Sequence, residues 1–444
     1  MVVETVLSWI TRGIPLQLAT VVRQKGANSF LMKKFSLHWQ ILIALMLGVL
    51  YGLYLTEYVS YIGWMGVVFM RALKLLIIPL LLTSITSGIA NIGSSGQLGK
   101  LGLKTISYYM ITSAIAIVTG LLMVNVLKPG VGVDLGFVEH VEGLAAAKES
   151  FGSTLINIIP ENIFVAFVKS EMLPIIFFSI LLGFFITKTT EKHKEFFITA
   201  TNAGFELMMK ITHFIIKFTP YGVFGIVAVT VARQAGDTAA LLNIANRLGI
   251  YMIAVLSGLC IHAIIVLPLI LKLFGRVNPF THFQALTTPL LTAFSTSSSS
   301  ATLPSTLEAV EKKSGVSNKV SSLVLPLGAT INMDGTALYE CVAAMFIAQA
   351  YGIELTFLQQ TIVVITALLA SIGAAGIPMA GLVMISIILT AVGLPLEGVG
   401  LILAVDRILD MFRTAVNVWS DSCGAVVIAR SEGETLNYKG CGRK

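Results

Sequence analysis

The stretch SSSSATLP at 297–304 lies in the middle of a segment, 280–313, that is only partly apolar. A second partly apolar segment, 356–393, has a middle of small residues, SIGAAGIP at 371–378. The rest of the chain consists largely of helix-like apolar runs, which lie near 39–56, 60–90, 102–127, 154–187, 196–232, 240–274, 319–350 and 397–430. The two interrupted segments thus alternate with the last two uninterrupted runs.

The composition indicates a membrane protein. Of the 444 residues, 56% are apolar and 12% are charged, whereas about 25% of a soluble protein is charged. A soluble enzyme of this length could not hide so much apolar surface, and a spanning helix needs about 20 mostly apolar residues. The runs do not alternate as the strands of a membrane β-barrel do. We therefore predict an all-α polytopic membrane protein with eight transmembrane helices.

The positions of Lys and Arg predict the topology. Basic residues gather before the first run, in alternate loops and in the tail, whereas the loops near 56–60, 351–356 and 393–398 contain none. By the positive-inside rule this pattern places both termini in the cytoplasm, on condition that 280–313 re-enters from the inside and 356–393 from the outside. Both segments are therefore predicted to be re-entrant hairpins.

A hairpin followed by a helix thus occurs twice, at 280–350 and at 356–430, with opposite orientations. Inverted repeats with broken helices near the bilayer midplane are typical of secondary transporters. Non-helical backbone at that depth is tolerated where it is buried in protein or lines a cavity. The hairpin tips are therefore candidate binding-site segments.

Neither end of the chain contains a long apolar run. Residues 1–34 hold only short apolar stretches and show no signal-peptide cleavage pattern. They are predicted to be a cytoplasmic N-terminal extension, and Met32, directly before the first long run, is an alternative start of the native chain. Residues 433–444 are predicted to be a cytoplasmic tail.

The cysteines and the net charge indicate no further class of ligand. Cys260, Cys341, Cys423 and Cys441 have neither a paired spacing nor a zinc-ligand spacing. We expect no disulfide framework, no zinc site and no cofactor. The net charge of +7 does not indicate nucleic-acid binding, because in a membrane protein the positions of Lys and Arg matter more than their sum.

The last apolar run carries a stripe of polar side chains. They fall within about 80° of one helix face, and intramembrane charges are costly and usually functional. The stripe has three acids and one base, so it could bind cations or an amino group; the alternative is a structural ladder of ion pairs. Its members are Asp406, Asp410, Arg413, Asn417 and Asp421.

The preceding run contains Asn332-Met333-Asp334-Gly335-Thr336. Glycine flanked by Asn and Asp is poor helix material, which predicts an unwound stretch whose carbonyls could bind a hard cation. Asn332 and Asp334 would add side-chain oxygens, and sodium, like calcium, takes oxygen ligands. The alternative is a kinked helix that serves packing.

Three other features are weaker alone. The serines of 297–304 could present backbone N–H groups to a carboxylate at the start of a half-helix. The small residues of 371–378 allow close approach and hinge motion, although small residues also serve ordinary helix packing in membranes. Tyr109, Thr112 and Ser113 share a helix face that could equally be a packed polar face.

Four motifs together resemble one family. SSSSATLP, NMDGTALYE, ASIGAAGIP and RTAVNV, in this order and spacing, are similar to the excitatory amino-acid transporters, also called dicarboxylate/amino-acid:cation symporters. The resemblance covers about 36–432. It implies a homotrimer in the inner cell membrane whose protomers are independent elevators. It also implies the substrates L-glutamate and L-aspartate, with sodium as the coupling ion.

The same resemblance implies a division of the chain. Scaffold helices one and two would occupy 35–97, and scaffold helices four and five 150–235. Helix three at 98–127 would belong to the transport domain. Its core, 238–432, would comprise helix six, hairpin 280–313, helix seven at 319–350, hairpin 356–393 and helix eight at 397–430.

The substrate contacts that the resemblance implies centre on helix eight. Arg413 matches the arginine that holds the side-chain carboxylate of the substrate, and Asp410 the aspartate that takes its amino group. An arginine fork binds a planar carboxylate through two hydrogen bonds. The other implied contacts are Ser299, Thr336, Ile377, Gly381, Thr414 and Asn417.

Three sodium sites are implied as well. The first would use Asp421 with carbonyls of Gly328, Asn332 and Asn417. The second would use carbonyls of Thr330, Ser371, Ile372 and Ala374. The third would use Tyr109, Thr112, Ser113, Asn332 and Asp334.

The sequence departs from the family pattern at three places. Glu340 stands where sodium-coupled archaeal members carry glutamine and animal members carry a proton-carrying glutamate. It is therefore a candidate proton carrier. The alternative is a structural residue that makes an interior hydrogen bond to a neighbouring helix. Ser297 and Met411 leave both family positions of an extra arginine empty. Ser420 replaces the usual glycine before Asp421.

The leading hypothesis is a symporter of acidic amino acids that is driven by sodium and also by protons. A C4-dicarboxylate symporter is the alternative within the class, but that branch lacks the aspartates that match Asp410 and Asp421. An intramembrane hydrolase would need a base near a serine, or acids on two facing helices, and neither is present. A channel is the third class.

Overall fold

The computed structural model describes residues 37–92, 99–132, 158–233, 238–373 and 380–438. These residues form helices and connecting turns, and no strand occurs among them. The prediction of an all-α fold is confirmed. The predicted extension 1–34 lies outside the described residues, as does the second half, 439–444, of the predicted tail.

Seven α-helices lie in the described part of the first half of the chain. They are α1 Leu37–Tyr54, α2 Ser60–Ile92, α3 Gly99–Leu127, α4 Ile163–Lys169, α5 Met172–Ile186, α6 Glu191–Ile216 and α7 Thr219–Arg233. The second half contains α8 Thr238–Ile261, α9 Leu267–Ile270, α10 Pro279–Ala285, α11 Thr287–Thr296, α12 Ser299–Lys312, α13 Asn318–Ile331, α14 Asp334–Ala350, α15 Phe357–Gly373, α16 Ala380–Ala391 and α17 Val399–Ser431. Two π-helical stretches, His262–Val266 and Leu271–Gly275, flank α9.

Several helices have the length of a membrane span. Within the described ranges, Ser60–Asn91, Lys100–Leu127 and Leu242–Gly275 are long and apolar enough to cross a bilayer. The pair α6 and α7, bent by 51°, passes the same test as one broken span.

Two of the apolar runs are each divided into two helices. The run near 154–187 contains α4 and α5, which are separated where Ser170 takes a left-handed conformation with φ of 57°. The run near 196–232 bends between α6 and α7 just before Pro220, a residue without an N–H group to continue the helical bonds. Apolar periodicity alone does not reveal such breaks.

The serine run turns the chain between two half-helices. The first, α11, ends at Thr296, and Ser297 takes φ of 51°. Ser298 then caps α12, because its hydroxyl accepts a hydrogen bond from the N–H of Ala301 at 3.2 Å. In the second predicted hairpin α15 and α16 flank residues 374–379, which lie outside the described part.

Helix α14 lies at the centre of the molecule. All its residues except Gln349 are buried, and it packs against α3, α15, α16 and α17. The division into scaffold and transport domains, the elevator motion and the trimer stay predictions.

Candidate site for substrate and cations

The non-helical stretch at Asn332 and Met333 separates α13 from α14. The first turn of α14 is held against the middle of α17. The N–H of Gly335 donates to Oδ1 of Asn417 at 2.7 Å, and a Cβ at Gly335 would lie 2.5 Å from the carbonyl oxygen of Arg413. A glycine is therefore required for this close approach, which brings the two predicted site segments together.

The polar stripe of α17 is buried over its whole length. Its members are exposed by 0 to 3%. The guanidinium of Arg413 donates from Nε to Oδ1 of Asp410 at 2.8 Å and from Nη1 to Oδ1 of Asp406 at 3.0 Å. Its Nη2 has no hydrogen-bond partner among the described residues. One nitrogen of the fork is thus left for another acceptor.

Tyr339 of α14 supports this ion pair. Its hydroxyl donates to Oδ1 of Asp406 at 2.5 Å, and its ring lies 4.1 Å from the carbon of the guanidinium. A cation over an aromatic face is attracted to it. Tyr339 was not among the predicted site residues, because its sequence position does not indicate which face of α14 meets α17.

The other predicted substrate contacts surround Arg413. Thr336 and Thr414 are buried, and Nδ2 of Asn417 donates to Oγ1 of Thr336 at 3.1 Å. A Cβ at Gly381 would lie 3.0 to 3.1 Å from the guanidinium, so the backbone of α16 covers it closely. Ser299 is buried at the start of α12, which packs against α17. Ile377 lies outside the described residues.

Asp334 has the surroundings of a cation ligand. Its Oδ1 accepts hydrogen bonds from Ser113 at 2.6 Å and from Thr112 at 3.3 Å. The hydroxyl of Thr112 also lies 3.4 Å from Oδ1 of Asn332. These four groups of the third predicted site meet through oxygen atoms, the ligands that hard cations prefer.

Tyr109, the fifth residue of that set, reaches it through its backbone carbonyl, which accepts a hydrogen bond from the hydroxyl of Thr112 at 3.2 Å, whereas its side chain points elsewhere. Its hydroxyl donates to the carbonyl of Val324 at 2.7 Å. A Cβ at Gly328 would lie 2.7 Å from this hydroxyl and 2.5 Å from Oδ1 of Asp421. The hydroxyl of Tyr109 therefore lies beside the first predicted site.

Asp421 and Asn332 connect that first site to the third. Oδ1 of Asp421 accepts from Nδ2 of Asn332 at 2.8 Å, and both side chains are buried. The carbonyl of Gly328 accepts a hydrogen bond from the N–H of Asn332 at 2.9 Å. Three of the four residues of the first site, Gly328, Asn332 and Asp421, thus lie together.

The second predicted sodium site is only partly described. Thr330 is exposed and its hydroxyl bonds to carbonyls of its own helix, whereas Ser371 is buried and bonds to Leu368. Helices α13 and α15, which carry them, pack against each other. Ile372 is described only as part of the α15 backbone, and Ala374 lies outside the described residues.

Glu340 is fully buried in α14. Neither carboxyl oxygen has a hydrogen-bond partner within the described ranges. The expected alternative, an interior hydrogen bond to a neighbouring helix, is not found there. An ionised carboxylate without partners is very costly in an apolar interior, so this environment favours the neutral acid.

His262 is a site residue that the sequence did not indicate. Its Nε2 lies 3.0 Å from Oδ2 of Asp334, and both side chains are fully buried. The two residues are 72 positions apart, so no spacing along the chain could have paired them. A histidine inside an apolar helix was the available signal.

A helical membrane protein with two interrupted segments and a buried charged stripe between them has the features of a secondary transporter. The model of the sodium:dicarboxylate symporter family matches residues 37–431. The chain belongs to this family, which confirms the resemblance in its motifs. It is a membrane transporter and not an enzyme.

Three curated relatives cover most of the chain. The proton/glutamate-aspartate symporter of Escherichia coli (strain K12) is 36% identical over 416 residues, which are 90% of this chain and 93% of that protein. The proton/sodium-glutamate symport protein of Geobacillus stearothermophilus is 37% identical, over 76% of this chain and 80% of that protein. Excitatory amino acid transporter 3 of Oryctolagus cuniculus is 36% identical, over 74% and 71%.

Proposed function

We propose that this protein takes up glutamate and aspartate together with sodium ions and protons. The observation that carries the proposal is the buried Arg413, which has acids on two nitrogens and no partner on the third among the described residues. A carboxylate can bind at the open Nη2. Relatives named for glutamate or aspartate symport with protons or sodium support the choice of substrate.

The amino group of the substrate supplies the second recognition step. Asp410 is 3% exposed and accepts from Nε of Arg413. When an ammonium group approaches, Asp410 can pair with it while the substrate carboxylate takes over part of the guanidinium. A C4-dicarboxylate brings no amine and would leave Asp410 with less compensation, so this alternative is less favoured.

The sodium ions would bind at the buried oxygen clusters around Asp334 and Asp421. Both clusters lie at the break between α13 and α14, which Asn417 of the substrate stripe also contacts. Cation binding would therefore order the same backbone that forms the substrate site. We further propose a homotrimer in the inner cell membrane, with both termini cytoplasmic and elevator-like movement of the transport domain.

Uptake of radiolabelled aspartate into proteoliposomes tests the function. We expect uptake against a concentration gradient when sodium is higher outside, and little uptake when sodium is equal on both sides. Unlabelled glutamate should compete, and succinate should compete more weakly. Uptake that does not depend on the sodium gradient, or stronger competition by succinate than by glutamate, would reject the proposal. Liposomes without protein provide the background.

Glu340→Gln should remove the coupling to protons. Glutamine keeps the shape of the side chain but cannot carry a proton, and Glu340 is buried without a partner in the described part. An imposed pH gradient should then no longer stimulate aspartate uptake, while the sodium gradient still drives it. Glu308→Gln, at an exposed acid paired with Lys312, is the control and should respond to pH as the wild type does.

If a pH gradient drives the Glu340→Gln variant as strongly as the wild type, Glu340 is a structural residue. The transporter would then use another proton carrier or sodium alone. Because both variants replace one glutamate by glutamine, a general effect of replacing a carboxyl group by an amide would appear in the control as well.

Gly328→Ala should weaken sodium binding. The added methyl would lie 2.5 Å from Oδ1 of Asp421 and 2.7 Å from the hydroxyl of Tyr109, so one of these groups must move. We expect the sodium concentration for half-maximal uptake to rise severalfold. Gly249→Ala is the control, because its Cβ would meet no atom within 4 Å, and it should leave this sodium concentration unchanged. If both variants have the same sodium dependence, Gly328 does not lie at a sodium site.

A further inference from the structure

Ser420 lies between the two acids of the candidate cation sites. Its hydroxyl donates to Oδ2 of Asp334 at 2.6 Å and accepts from Nδ2 of Asn332 at 3.0 Å. The side chain is fully buried. A hydroxyl has one hydrogen to donate, and here that hydrogen is given to the carboxylate.

These bonds determine how the carboxylate of Asp334 is oriented. Its Oδ2 is held by Ser420 and also lies 3.0 Å from Nε2 of His262. This nitrogen must carry its proton to make a hydrogen bond, since a carboxylate oxygen only accepts. With Oδ2 held in this way, Oδ1 is directed to Ser113 and Thr112.

Ser420 also determines the orientation of the amide of Asn332. Nδ2 of Asn332 has two hydrogens, which it donates to Ser420 and to Oδ1 of Asp421. The amide oxygen must therefore point the other way, and it lies 3.4 Å from the hydroxyl of Thr112. A flipped amide would place its oxygen against the carboxylate of Asp421 and would lose both bonds.

One hydroxyl thus orients two of the four oxygen groups that meet at Thr112 and Ser113. Groups that hold metal ligands in place affect affinity by about 10- to 100-fold when they are removed. The family pattern has glycine at this position, which has no side chain to make these bonds.

We propose that Ser420 is a positioning residue for the cation site of Thr112, Ser113, Asn332 and Asp334, and that it raises the affinity of this site for sodium. The inference rests on the proposed function in so far as sodium is the ion bound there. Ser420 does not itself touch the ion; it acts through Asp334 and Asn332.

Sodium binding to the purified full-length protein in detergent, without amino acid, tests the proposal. An ion that binds only the folded state raises the melting temperature as its concentration increases. We expect Ser420→Ala to raise about tenfold the sodium concentration that produces a given increase in melting temperature. Choline chloride at equal ionic strength corrects for general salt effects.

Ser422→Ala is the matched control. Ser422 is a fully buried serine on the same helix, but its hydroxyl bonds to the carbonyl of Trp419 and to His282. This variant should keep the sodium dependence of the wild type even if its melting temperature without sodium falls. If Ser420→Ala does not fold, Ser420→Cys keeps the volume with a weaker donor and must show the same loss.

The outcomes separate the inference from the proposed function. If Asp334→Asn changes the sodium dependence and Ser420→Ala does not, the role of Ser420 is overturned and the sodium site remains. A wild type that sodium does not stabilise, or an Asp334→Asn variant with unchanged dependence, would overturn both the role and the sodium site. If Ser420→Ala weakens sodium binding but the protein transports no acidic amino acid, the inference is supported and the substrate assignment is rejected.

Discussion

Arg413→Cys is expected to abolish the uptake of aspartate and glutamate. The guanidinium is 1% exposed and pairs with both Asp406 and Asp410. Breaking a buried ion pair by removing one partner costs about 3–5 kcal/mol, which is more than a hundredfold in an equilibrium constant. The variant would also leave the side-chain carboxylate of the substrate without its proposed partner, so neutral amino acids should become the better competitors.

Arg407→Cys provides the contrast for this prediction. Arg407 lies on the same helix, 3.5 Å from Asp410, but its side chain is 19% exposed. This pair is longer than the 2.8 Å bond from Nε of Arg413 to Asp410, and a hydrogen bond weakens as its length increases. Its aspartate affinity should fall less than about tenfold. An aspartate affinity of Arg413→Cys equal to that of the wild type would remove Arg413 from the substrate site.

The break between α13 and α14 could be recognised in the sequence from its residue types. Asn332, Asp334 and Gly335 are poor helix formers, and the structure ends α13 at Ile331 and begins α14 at Asp334. The spacing of the stripe on α17 likewise predicted that its members share a face. Local propensity and helical periodicity are sufficient for such features because they depend only on neighbours in the chain.

The pairing between helices could not be predicted in this way. The hydroxyl of Tyr109 reaches Val324, and His262 reaches Asp334; both contacts join helices that are far apart in sequence. The carbonyl of Tyr109 lies 3.2 Å from the hydroxyl of Thr112 in the cluster of Asp334, whereas its hydroxyl lies beside Gly328 and Asp421. Such partners depend on how the helices pack, which one-dimensional spacing does not encode.

Only the structure shows which nitrogens of the Arg413 guanidinium already have hydrogen-bond partners. The sequence indicated three acids and one base on a single face, and this pattern left open an ion-pair ladder or a ligand site. In the structure Arg413 pairs with two acids, and its Nη2 has no hydrogen-bond partner among the described residues. The ion pairs would hold the guanidinium in position for a carboxylate.

Asp421→Asn is expected to raise the sodium concentration needed for half-maximal aspartate uptake by at least about tenfold. The carboxylate supplies the full negative charge of the first predicted sodium site, and it is 3% exposed. Removing a charge that faces a cation in a low-dielectric environment costs more than in water. The fold should suffer less, because an asparagine oxygen can still accept the hydrogen bond that Nδ2 of Asn332 gives to Asp421.

Glu432→Gln separates this effect from a general loss of negative charge at the end of α17. Glu432 follows α17 directly, and the hydrogen bond from Lys104 lowers the pKa of its carboxyl, so it is ionised at neutral pH. It is remote from the sodium ligands in sequence and is partly exposed. Initial rates of uptake, measured over a range of sodium concentrations at saturating aspartate, should match the wild type for Glu432→Gln and require far more sodium for Asp421→Asn. If both variants follow the curve of the wild type, Asp421 does not bind sodium, and the charge that attracts the ion must come from Asp334.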